Sequence, residues 1–95
     1  MPAYLVADVD VHDPERYAEY VRLASGTVDE HGGRYLVRGG ETEALEGDWS
    51  PRRLIVIEFP SRAAARAWYD SPRYREARAV RQSCSRGDFV VVDGV

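Results

Sequence analysis

The chain has 95 residues, 44% of them hydrophobic and 31% charged, with a formal net charge of -3. A chain of this length buries roughly two-thirds of its unfolded surface in one core, so a single domain over residues 1–95 is expected and a second does not fit. The charge excludes a general nucleic-acid binder, which carries a basic stripe, and the lone Cys84 excludes an intramolecular disulfide or a multi-cysteine metal site.

Ala3 to Val11 is β-branched and aromatic and reads as a strand, with Leu5, Ala7, Val9 and Val11 on one face and Tyr4, Val6, Asp8 and Asp10 on the other. The second face places a carboxylate, Asp8, in mid-strand. Asp13-Pro14-Glu15 opens a helix: the aspartate caps it, proline loses nothing in the first turn, and glutamate complements the dipole. Tyr17, Tyr20, Val21, Ala24 and Val28 recur at helical spacing. Ser25-Gly26-Thr27 is placed to kink or split the helix, and Gly32-Gly33 to end it.

Arg34 to Arg38 reads as a short strand with regular alternation, Tyr35 and Val37 facing one way and Arg34, Leu36 and Arg38 the other. Gly39-Gly40 turns the chain, Glu41 to Glu46 could add an acidic edge strand, and residues 47–51 form a turn around Trp49. Arg52 to Phe59 is the strongest strand, with Ile55, Ile57 and Phe59 opposite Leu54, Val56 and Glu58. Ser61 caps a helix with Ala63, Ala64, Ala67 and Trp68 on its apolar side. Asp70-Ser71-Pro72 breaks it and starts another, about Arg73 to Ser83, with Tyr74, Ala77, Val80 and Cys84 as apolar positions. Gly87 then releases the chain into a last strand, Asp88 to Asp93.

Two strands between the helical segments, with one strand at each end, indicate an α+β, ferredoxin-like split βαβ arrangement with an antiparallel sheet. Helices then cover one sheet face, and the other, about half apolar, is open to a second subunit. Residues 1–50 carry 11 acids and 4 arginines, and residues 51–95 carry 5 and 9, a further reason to expect complementary self-association. All 13 basic residues are arginine, which excludes a lysine Schiff base. Neither a signal peptide nor an apolar run of about 18 residues is present, so a cytoplasmic protein without a membrane partner is expected.

Met1-Pro2-Ala3-Tyr4, Asp13-Pro14-Glu15-x-Tyr17-x-x-Tyr20, the run from Gly32 to Gly40, Leu45-Glu46-Gly47-Asp48-Trp49, Glu58-Phe59-Pro60-Ser61 and Trp68-Tyr69-x-Ser71-Pro72-x-Tyr74-Arg75 together resemble the DUF1330 family of small bacterial proteins. The resemblance covers nearly the whole chain. It implies a dimeric α/β-barrel in which two ferredoxin-like subunits join their sheets, a superfamily that includes cofactor-independent monooxygenases, muconolactone isomerases and haem proteins of the chlorite-dismutase type. The family itself has no defined role.

Strand alternation would place Asp8, Arg34, Arg38 and Glu58 on one face. Charges on a face that becomes covered are costly unless paired. They therefore either fix register and dimerisation, or form a pocket where arginine binds a carboxylate or enolate and Asp8 or Glu58 moves a proton. His31 is either a helix C-terminal cap or a general base at the pocket mouth. Trp49, Trp68 and Tyr74, with Arg34, are candidates to line a substrate site, and the aromatics are equally suited to core or interface. The chain has no P-loop, dinucleotide fingerprint, nucleophile elbow or metal-spaced His/Cys cluster, and neither His12 nor His31 lies in a haem-ligand context, so no metal and no cofactor is expected. The reading is a homodimer that binds a small anionic metabolite and acts on it by proton transfer without a cofactor. The alternative is a non-catalytic binding or assembly module whose charged face specifies dimerisation.

Overall fold

The computed structural model describes residues 1–95. Its elements are β1 (Ala3–Val11), α1 (Pro14–Ala24), α2 (Thr27–Glu30), β2 (Arg34–Arg38), β3 (Leu54–Phe59), α3 (Arg62–Asp70), α4 (Pro72–Cys84) and β4 (Ser85–Asp93). The strands form one sheet in the order β2-β3-β1-β4 with every neighbouring pair antiparallel. With all helices on one face, this is the ferredoxin-like arrangement expected from the sequence, and its shortest dimension, 16 Å, is that of two layers. No helix is long and apolar enough to cross a membrane.

Local chemistry sets the element ends. Asp13 Oδ1 accepts from Arg16 N at 3.2 Å and Pro14 opens α1. Gly26, at φ 80°, separates α1 from α2, so the helix splits where the sequence indicated. Gly33 lets α2 approach β3: a Cβ there would lie 2.7 Å from the Phe59 ring and 2.8 Å from Val28. Ser71 serves two helices, its Oγ donating to Trp68 O at 2.8 Å and accepting from Tyr74 N at 3.3 Å.

Several features differ from the sequence expectation, among them the start of β3, at Leu54 rather than Arg52. Glu41 to Glu46 forms no strand; the acidic segment finds no ladder partner and stays in an exposed loop. β4 starts at Ser85, directly after α4, because Ser85 is already extended and pairs with Val11. Gly87 thus lies within the strand, opposite Val9, where a Cβ would meet the Phe89 ring at 3.0 Å. On α3 the buried pair is Ala65 and Trp68, while Ala63 and Ala67 are exposed, a rotation driven by seating the indole rather than by alanines that fit either side.

The core lies between the helices and the inner sheet face. Leu5, Ile57 and Phe59 from the strands meet Ala24, Val28, Ala65, Trp68, Tyr74 and Ala77 from the helices. Each of the larger apolar side chains contributes about 1.5–3 kcal/mol on burial. On the outer face, Val90 and Val92 are 59% and 51% exposed and register against Val6 and Tyr4 of β1.

Candidate functional site

The outer face holds three of the four charged residues expected there. Asp8 accepts from Trp49 Nε1 at 3.0 Å, Arg52 N at 2.9 Å and Arg53 N at 3.4 Å. The Trp49 hydrogen bond, aided by the two backbone donors and the Arg52 charge, outweighs desolvation and holds the Asp8 carboxyl below its ordinary range. Trp49 is otherwise 62% exposed. Glu58 accepts from Arg34 Nε at 2.7 Å and from Tyr4 Oη at 3.3 Å. Both carboxylates are engaged by groups of their own chain, and neither lines the cavities described below.

Arg38 leaves this group. In the β2–β3 ladder Arg34 faces Glu58 and Tyr35 faces Ile57, but the next partners are Val37 with Val56 and Arg38 with Ile55. Leu36 is the extra residue of a β-bulge. A bulge inserts one residue against none on the partner strand and reverses the alternation beyond it. Arg38 therefore shares the inner face with Tyr35 and stacks on its ring, 4.2 Å from the centroid. The single-face grouping of Asp8, Arg34, Arg38 and Glu58 is corrected accordingly.

Arg38 instead lines a cavity of about 30 Å³ between α1 and the sheet, walled by Tyr17, Tyr20, Tyr35, Trp68 and aliphatic residues. Its only charged walls are Arg38 and Arg53, and it contains no carboxylate or histidine. Arg53 lies 5.8 Å from the Tyr17 ring centroid, and its buried Nε has no hydrogen-bond partner. Gly39, at φ 73°, makes room for it, since a Cβ there would lie 2.5 Å from Arg53 Nη1.

Tyr20, one of the walls, has its Oη 2.9 Å from the Oη of Tyr74, which does not line the cavity. Burial raises both phenols above their ordinary pKa, Tyr20 the further, so both stay protonated, and either can donate in the bond they share. Burial also raises Tyr35, with the Arg38 charge opposing it. Arg81, on the same helix as Tyr74, is 4% exposed, its guanidinium 4.0 Å from the Phe89 centroid and its Nε without a partner. A larger open trough of about 650 Å³ runs between α3 and β4. Its arginines are already neutralised, Arg62 by Asp93 at 2.9 Å and Arg66 by Asp70 at 3.1 Å. Unpaired positive charge therefore distinguishes the smaller cavity, although the trough has more room.

His31 is the C-cap of α2, with Nδ1 3.0 Å from Thr27 O, and does not reach the cavity. Trp68 does, with Nε1 donating to Thr27 Oγ1 at 3.0 Å and its ring 4.0 Å from that of Tyr74. Tyr17, Tyr20, Tyr35, Arg53 and Arg81 were not among the sequence candidates. The 74, 77, 81, 84 spacing on α4 does carry a signal, for it puts an arginine on the buried helical face.

The fold is shared with solved structures. A protein of unknown function from Rhodopseudomonas palustris superposes with TM-score 0.81 at 23% identity, over 99% of this chain and 82% of its own. A dimeric ferredoxin-like protein of unknown function from Jannaschia sp. CCS1 gives 0.72 at 16%, over 99% and 100%. SnoaB, a cofactor-independent oxygenase from Streptomyces nogalater, gives 0.65 at 11%, over 99% and 93%. No curated protein matches the chain in sequence. The model of one family, a domain of unknown function, matches residues 2–95, and the chain belongs to that family, DUF1330.

Proposed function

We propose that the protein is a homodimer in which each subunit binds a small anionic organic molecule between its helices and its sheet. The observation that carries the ligand assignment is the pair Arg38 and Arg53, which face a tyrosine-walled cavity with no acid to neutralise them. A buried guanidinium atom without a partner is costly, and a carboxylate or oxyanion supplies the missing acceptor. The cavity as it stands holds on the order of one or two waters. A larger ligand enters by displacing the Arg38 side chain, which is exposed and has no ion-pair partner.

The charged outer face is assigned to assembly. Asp8, Arg34 and Glu58 close their own pairs and fix the sheet surface around the exposed valines, which a second copy covers. The Jannaschia protein, described as dimeric, supports this reading. The oxygenase SnoaB shows that the fold accommodates chemistry without a cofactor. With no carboxylate or histidine on the cavity wall, the chemistry available there is stabilisation of a negative oxygen, not proton abstraction by Asp8, His31 or Glu58.

A melting-temperature screen of aliphatic and aromatic acids tests the ligand assignment. Binding at 100 times Kd adds about 2.7 kcal/mol. At least one acid is expected to raise Tm, and Arg38→Gln and Arg53→Gln to remove most of that rise. If no acid stabilises the native protein, or if both variants respond like the parent, the assignment is wrong.

A further inference from the structure

We infer that the ligand is a monocarboxylic acid with an extended apolar tail, its head at Arg38 and Arg53 and its tail passing Phe89 into the trough between α3 and β4. Phe89 is then the residue that sets how long a tail is admitted. This rests on the cavity being the ligand site.

The strand order gives the cavity a direction. Its arginines lie towards the β2 edge, since Arg38 ends β2 and Arg53 directly precedes β3, whereas Phe89 lies on β4, the opposite edge strand. Three strand spacings of about 4.8 Å separate those edges, roughly 14 Å in all. The floor between them is apolar, formed by Leu5 and Val9 of β1 with Ile55 and Ile57 of β3. An acid whose carboxylate meets the two guanidiniums therefore lays the rest of itself over apolar surface.

The path continues beyond Phe89. Leu5 and Phe89 line both the cavity and the trough, and Leu5 is fixed in the core at 2% exposed, so the Phe89 ring is the partition that can move. Little pins that ring within the sheet. It lies over Gly87, where a Cβ would come 3.0 Å from it, and its cross-strand neighbour is Ala7. Its cation–π contact is with Arg81, 4.0 Å from the ring centroid. The trough, at about 650 Å³, has room for the ring and for a tail that follows it. Its walls suit an uncharged tail better than a second acid group: six of its eight residues are hydrophobic, and Arg62 and Arg66 are already paired with Asp93 and Asp70.

The test titrates the intact protein calorimetrically with butanoate, octanoate and dodecanoate. Each methylene that becomes buried tightens Kd roughly fourfold, so affinity is expected to climb along the series in the parent. Phe89→Ala removes the ring that a long tail must displace and is expected to raise the dodecanoate-to-butanoate affinity ratio about tenfold, the worth of nearly two buried methylenes. Ala63→Trp, at an exposed trough position, fills the tail site and is expected to leave dodecanoate no tighter than octanoate. Should Phe89→Ala fail to fold, Phe89→Leu takes its place. A flat series in the parent, or a gain with length that survives Ala63→Trp, overturns the trough as the tail site. A ratio unchanged by the Phe89 variant overturns the partition. If short acids bind through Arg38 and Arg53 while length adds nothing, only this inference fails. If no acid of any length binds, the ligand site fails with it.

Discussion

Asp8 is engaged by more donors than any other carboxylate described above, one indole and two backbone N–H groups. Its pKa is depressed in the folded state, so its ionised form stabilises the fold. That contribution is fully present above the unfolded value of about 3.9 and is lost as pH falls through the folded value. Asp8→Asn is therefore expected to lower Tm by a few degrees at pH 7, on the order of 1 kcal/mol or less for a solvent-screened pair. The deficit should shrink below about pH 4, where the unfolded chain takes up the proton first, and disappear once pH falls through the lowered folded value. A deficit independent of pH, measured by thermal unfolding from pH 3 to 7, would show that the residue acts by shape alone. Asp8 and Glu58 were legible in the sequence, because a carboxylate that breaks an apolar alternation must find donors. The meeting of Tyr20 with Tyr74 was not, since it depends on how α1 and α4 dock across 54 residues of chain.

Among the elements, β2 decides how much of the site could be read from the sequence. Its boundaries, Arg34 to Arg38, agree with the sequence reading, yet one extra residue at Leu36 moves Arg38 to the opposite face. Nothing local marks the bulge: Leu36 is no glycine, and the ladder partner that skips it lies some 20 residues on, at β3. The caps at Asp13, Ser61 and Ser71 were legible because capping is short-range chemistry. The rotation of α3 was not, because alanines on three sides leave the choice to the packing of Trp68. Entry into β2 is equally constrained. Gly33 sits where α2 presses on β3, and Gly33→Ala would drive a methyl group into Phe59 and Val28. A loss of about 1–3 kcal/mol is expected, as for other overpacked core positions. Urea denaturation measures it, and an unchanged midpoint would mean that Phe59 repacks freely.

For the whole molecule, one sheet face carries the core and the other carries valines in water. Exposed apolar surface of this kind marks an interaction site. Val90 and Val92 stand on it beside Tyr4 and Val6. Placing a charge there, as in Val90→Asp with Val92→Asp, should leave the subunit folded and shift the sedimentation coefficient from that of the proposed dimer to that of a monomer. A variant that still sediments as a dimer would move the interface elsewhere. The overall topology was legible because it needs only the order and spacing of elements, whereas the cavity needed the tertiary path of every wall. The seam between Cys84 and Ser85, where helix becomes strand with no connecting residue, sets a further limit. Most joints in a small protein have slack that can absorb an added residue; this one has none. An insertion there would slide β4 by one step along β1, turning Val90 and Val92 inward and sending Phe89 out from beneath Arg81. The exposed 40–52 loop can lengthen without such a penalty. Added length is therefore better tolerated between β2 and β3 than at this seam, and the spacing from Tyr74 to Phe89 behaves as a fixed ruler within the fold.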